Sequence, residues 1–167
     1  MSLSMHSASV PVITHMLGNM LLWLDKAQAH AEARKFDTAN YLGLRLAPDM
    51  FPLSRQVQIA SDAAKGCMAR LAGVEQPKWD DTEASLDELR ARIRKTIDYV
   101  DAFQPSQIDG SEQREIVITL RSGERRMDGE SYLKHWALPN FFFHATTLYA
   151  LLRHAGVELG KADYLGN

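Results

Sequence analysis

Apolar residues recur at three- and four-residue intervals along most of the chain, which predicts long amphipathic helices. The first spans about residues 7–34, with Ile13, Met20, Leu24, Ala27 and Ala31 on one face and Pro11 tolerated in the first turn. A short helical piece over residues 38–46 leads to Ala47-Pro48-Asp49, where Asp49 is an expected N-cap. A second long helix covers residues 49–72. Its stripe of Leu53, Val57, Ala60, Ala64, Cys67 and Leu71 is small enough for close helix approach, and Gly73 ends it. After a linker over residues 74–81, Ser85-Leu86-Asp87-Glu88 reads as a capping box opening a third helix that runs to about residue 103. Leu86, Leu89, Ile93, Ile97 and Val100 give that helix a regular apolar face.

The period then changes. Arg114 to Leu120 alternates and is β-branched, Ser122-Gly123 signals a turn, and Glu124 to Met127 returns as a second strand. A two-stranded ribbon is marginal alone, so it is expected to lie on the helices or on a partner. The last helix begins at Gly129-Glu130-Ser131 and runs to Gly156, with Pro139 predicting a kink just before Asn140. On this helix Leu133, Ala137, His144, Leu148, Leu151 and Ala155 share a stripe, and Asn140 lies beside its centre. The pattern as a whole predicts an all-α four-helix bundle with a small β-hairpin between helices three and four.

Asn140 and His144 therefore point where the core should be. Buried polar groups must find partners, so the pair forms either an internal network or the floor of a ligand site. Gln56 borders the apolar stripe of helix two and is a candidate third member, facing His144 across the core or bonding to backbone. Arg55, Gln58, Asp62 and Lys65 fall on the opposite side of that helix. A Gln/Asn/His set suits a small polar organic ligand better than a metal, because it lacks carboxylates and a second imidazole. The other histidines read as solvated or helix-end residues: His15, His30, His135 and His154. No residue is assigned a catalytic role.

Composition narrows the partners. The 167 residues are 46% hydrophobic and 24% charged, with a net charge of −2, so no electrostatic footprint for nucleic acid or an anionic membrane is present. No apolar run approaches the roughly 18 residues of a membrane span, and the first residues lack an export signal, so a cytoplasmic location is expected. Cys67 is the only cysteine, which excludes an intrachain disulfide and a cysteine-rich zinc site; it is expected as a small buried hydrophobe. The last helix also has a second apolar side, Leu138, Phe142, Ala145 and Tyr149, flanked by Trp136 and Phe143. A helix apolar nearly all round predicts cover by a second chain, hence a homodimer.

Several segments together resemble the DUF1993 family, grouped with the DinB/YfiT-like metalloenzyme-type superfamily. They are residues 45–53, Gln56 to Lys65, Ala69 to Gly73, and a C-terminal set running from Gly129 and Tyr132-Leu133 through Pro139-Asn140-Phe141, Phe143-His144, Tyr149, Leu152-Arg153-His154 and Gly156 to Gly160-Lys161-Ala162-Asp163-Tyr164-Leu165-Gly166. The resemblance implies one DinB-like domain over residues 1–167, an up-and-down four-helix bundle that is often dimeric, with a site between the helices. DinB-like members place one histidine on helix two and a His-x-x-x-His pair on helix four around a divalent metal. Here His144 matches the second position of the pair, Asn140 replaces the first, and Gln56 lies where the helix-two histidine is expected. Three readings follow. The first is a polar pocket at His144, Asn140 and Gln56 for a small ligand. The second is a divalent-metal-dependent transferase or hydrolase retaining His144 as metal ligand. The third is a non-catalytic structural or interaction dimer.

Overall fold

The computed structural model describes residues 3–166; Met1, Ser2 and Asn167, the ends of the expected domain, lie outside the described residues. The fold is mostly helical with one small antiparallel sheet. Its elements are α1 (Val10–Arg34), α2 (Ala39–Leu42), α3 (Leu53–Ala72), α4 (Leu86–Asp101), α5 (Pro105–Ile108), β1 (Glu115–Leu120), β2 (Gly123–Asp128), α6 (Gly129–Tyr132), α7 (Leu138–His154) and α8 (Lys161–Leu165). A π-helical turn, Leu133–Ala137, joins α6 to α7.

The long helices form where the apolar spacing places them. In α1, Ile13, Met20, Leu24, Ala27 and Ala31 are all buried. In α3 the small-residue stripe from Leu53 to Leu71 is buried throughout, Cys67 included. The expected cap at Asp49 does not form: α3 starts at Leu53, preceded by Pro52 in an extended conformation. Proline disfavours the helical conformation in the residue before it, so the helix cannot reach back through Phe51. Ser85 does cap α4, accepting from the Glu88 amide at 3.2 Å, while the Glu88 carboxylate accepts from the Ala84 amide.

α3 packs on α7 and α4, and α1 packs on α4 and α7. The expected order, alternating in direction, is corrected at the linker over residues 73–85. Gln76 bonds to the Asp62 carbonyl, the Trp79 ring lies 4.2 Å from Lys65 Nζ, Asp81 pairs with Arg55, and Glu83 accepts from Gln58 at 2.9 Å. The linker thus returns along α3, and α4 starts beside the start of α3 and runs parallel to it. That return also covers the polar side of α3, which is why Gln58 and Lys65 are buried rather than solvated.

In the hairpin, Ile116 and Ile118 face the core while Val117 faces out, the alternation of a half-covered ribbon. The two-residue turn is Arg121-Ser122, because Leu120 pairs with Gly123, which already belongs to β2. Among the described residues no helix is long and apolar enough to cross a membrane.

Candidate functional site

The entry to α7 decides which side chains reach the core. Asp128 caps α6 by accepting from the Ser131 amide at 2.7 Å. The chain then widens into the π-helical turn, where the Leu138 amide bonds to the Leu133 carbonyl, five residues back. Pro139 sits in the first turn of the restarted helix, where its missing N–H costs nothing. Phe141, fully buried, takes the inward position that follows Ala137, and Asn140 does not.

Asn140 is exposed and bonds to neither His144 nor Gln56. The expectation that it lies beside the centre of the core stripe is corrected: on α7 Asn140 falls at the edge of the buried face, whose centre holds Phe141 and Leu148. Gln56 and His144, by contrast, do meet. Gln56 Oε1 lies 2.7 Å from His144 Nδ1, and Gln56 Nε2 donates to the Phe51 carbonyl at 2.9 Å. Only 1% of Gln56 and 8% of His144 are exposed.

These bonds define the protonation pattern. A carbonyl only accepts, so the Phe51 oxygen orients the Gln56 amide with its nitrogen toward Phe51 and its oxygen toward His144. His144 Nδ1 must then carry the proton and donate. Burial, with a smaller contribution from the positive charge of Arg55, lowers the His144 pKa from 6.5 to about 4. The ring is neutral at physiological pH, and its Nε2 presents a lone pair. That nitrogen has no protein partner and is not sealed from solvent. Phe143, itself 56% exposed, stands edge-on to the ring with centroids 5.1 Å apart.

Two contributors were missed in the sequence. The Phe51 carbonyl orients the amide, and Phe51-Pro52 signals it, because proline holds that carbonyl just ahead of the helix. Arg55 was assigned to the far side of the helix, yet its charge is felt at His144. Clefts of about 270 to 480 Å³ open on the surface, and Gln56, Asn140 and His144 line none of these five.

A histidine that donates through one nitrogen to an oxygen and offers the other is oriented as metal-ligating histidines are. The donor set around it does not fit a metal ion. Its neighbours are an amide and an arginine, and among the described residues no three His, Cys, Asp or Glu side chains come together to hold one. The second apolar side of α7 is covered largely from within the chain: Ala145 is fully buried, and Tyr149 packs on Trp23 and Tyr164 at centroid distances of 5.6 Å.

Fold and site together define a mostly helical protein with a single oriented histidine on α7. The chain is similar to a DinB family member protein from Shewanella denitrificans known from its crystal structure, with 41% identity, 97% of this chain and 92% of that chain covered, and a TM-score of 0.89. The model of DUF1993, a domain of unknown function, matches residues 5–165, and the chain belongs to that family. No curated protein matches it.

Proposed function

We propose that this chain is a DinB-type four-helix bundle that binds a small polar ligand through His144, by donation of a hydrogen bond from the ligand to Nε2. One observation carries the reading. Gln56 fixes the imidazole as a neutral ring whose Nε2 is an unused acceptor at the protein surface. The ligand class follows from that atom: a hydroxyl, amide or ammonium donor of small size. Asn140 is exposed one turn away and serves at the rim, not on the floor. Metal-dependent transfer or hydrolysis has no support in the donor set around His144. A second copy of the chain, where one docks, has the patch of Leu46, Phe142 and Phe143 to cover, and light scattering reads that out directly.

The test is ring ¹⁵N NMR of His144 in protein titrated with phenol, acetamide and methylammonium. Binding at Nε2 moves that nitrogen's shift saturably and leaves Nδ1 nearly in place. If none of the three moves Nε2, or if a His144→Phe variant binds the same probe equally well, the reading fails. Metal content below about 0.1 per chain, with no thermal stabilisation by zinc, nickel or manganese, separates this reading from the metalloenzyme one.

A further inference from the structure

The last three residues of α8 leave backbone carbonyls that a short helix cannot satisfy internally. Side chains of α1 supply the donors at one-turn intervals. Trp23 Nε1 donates to the Asp163 carbonyl at 3.0 Å, Asn19 Nδ2 to the Tyr164 carbonyl at 3.0 Å, and His15 Nε2 to the Leu165 carbonyl at 2.8 Å. Residues 15, 19 and 23 lie four apart, so they form one ladder up a single face of α1. Lys26 continues it, pairing with the Asp163 carboxylate at 2.6 Å and reaching the Glu158 carbonyl at 3.2 Å.

What α8 covers is aromatic. Tyr164 stacks on Trp23, with ring centroids 5.5 Å apart and planes at 18°, and meets Tyr149 edge-on. Trp23 is fully buried, yet no residue of α8 is. The grip is thus made of one exposed and two part-buried hydrogen bonds, one ion pair and the Tyr164 stack, with no fully buried side chain from α8 itself. The tether behaves otherwise. Val157 and Leu159 are buried, so the chain stays anchored up to Gly160 when α8 lets go.

We propose that α8 is a C-terminal strap that opens and recloses as one unit about Gly160 while the rest of the fold stays intact. Opening uncovers the Trp23–Tyr149 floor. It also widens the adjoining cleft of about 480 Å³, in which Tyr164 and Leu165 form one wall and Val12, Met16 and Phe142 another. The inference is independent of the His144 site.

Native-state hydrogen exchange in rising urea tests it. The probes are the Tyr164 and Gly166 amides, bonded to the Gly160 and Ala162 carbonyls, and the Trp23 indole N–H. The three should exchange together, on the order of 100-fold faster than the α3 core amides and with little urea dependence, as local opening requires. Exchange of all three at the core rate and urea slope overturns the proposal. So does a graded increase toward the C-terminus with the indole protected at the core level, which is simple fraying. Asn19→Ala combined with Lys26→Ala should speed all three strap probes about tenfold and leave α3 unchanged; an equal change in both regions, or none, speaks against the strap. The wild-type measurement decides the matter even where the double variant fails to fold.

Discussion

Two polar clusters sit on α3, and they use their bonding capacity differently. Around Arg92, whose side chain is 2% exposed, every charge is engaged: Asp62 at 3.1 Å, Asp81 at 2.9 Å and Glu83 at 2.9 Å, with the Asp80 carbonyl at 3.0 Å. Lys65 pairs with Asp62 at 2.8 Å, and its Nζ and that of Lys95 lie 4.2 and 4.4 Å from the Trp79 ring centre. The atom left over, Arg92 Nε, is sealed from solvent and out of a ligand's reach. At the other cluster, Gln56 and His144 are neutral and hold a single contact between them, and the spare atom, His144 Nε2, has no protein partner and is not sealed. A saturated network fastens the returning linker. An unsaturated pair with an accessible acceptor is what a binding site needs.

The largest effect should come from the saturated cluster. Arg92→Ala leaves three carboxylates without their shared cation and should cost about 3 kcal/mol, read from urea denaturation. A loss below about 1 kcal/mol would show the network to be decorative, and the contrast between the clusters would collapse.

The open cluster should show itself in pH dependence. The folded-state pKa of His144, about 4, lies below its ordinary 6.5, so the unfolded chain binds the proton more readily. The stabilisation is fully present above pH 6.5 and is lost as pH falls from there toward 4, by up to ~3 kcal/mol. Carboxylates lose stability in acid too, so the check is a difference curve against His144→Phe, in which the loss between pH 6.5 and 4 should disappear. A ring that titrates near 6.5 by NMR would refute the neutral-acceptor picture.

Gln56→Ala should cost about 1–3 kcal/mol, because it strands His144 Nδ1 and the Phe51 carbonyl. It should also free the ring orientation, so that the Nε2 shift no longer responds selectively to the probes. Retained selectivity would mean that something other than Gln56 sets the tautomer. The smallest effect belongs to Asn140→Ala, within about 0.5 kcal/mol, as for an exposed residue outside the network. A larger loss would place Asn140 back in the core stripe.

How far the site was legible follows from the same residues. Gln56 and His144 could be paired from sequence because each lies on a helix whose period holds through it. Asn140 could not be placed, because it lies beside the stripe, where a small rotation of the helix decides between core and solvent. Gln58 and Lys65 were misplaced for a different reason. Helical period marks them as a polar face, and nothing local shows that residues 73–85 return to cover it.

Helix positions, the small-residue stripe of α3, the hairpin and the solitary cysteine's burial were determined by the sequence, because each depends on local periodicity and side-chain size. The tertiary structure decided the parallel course of α3 and α4, the burial of Arg92 and Lys65, the replacement of Asn140 by Phe141 in the core, and the pairing that leaves His144 Nε2 without a protein partner. Those depend on which segments meet in space, and a chain's local period carries no record of what will be laid against it.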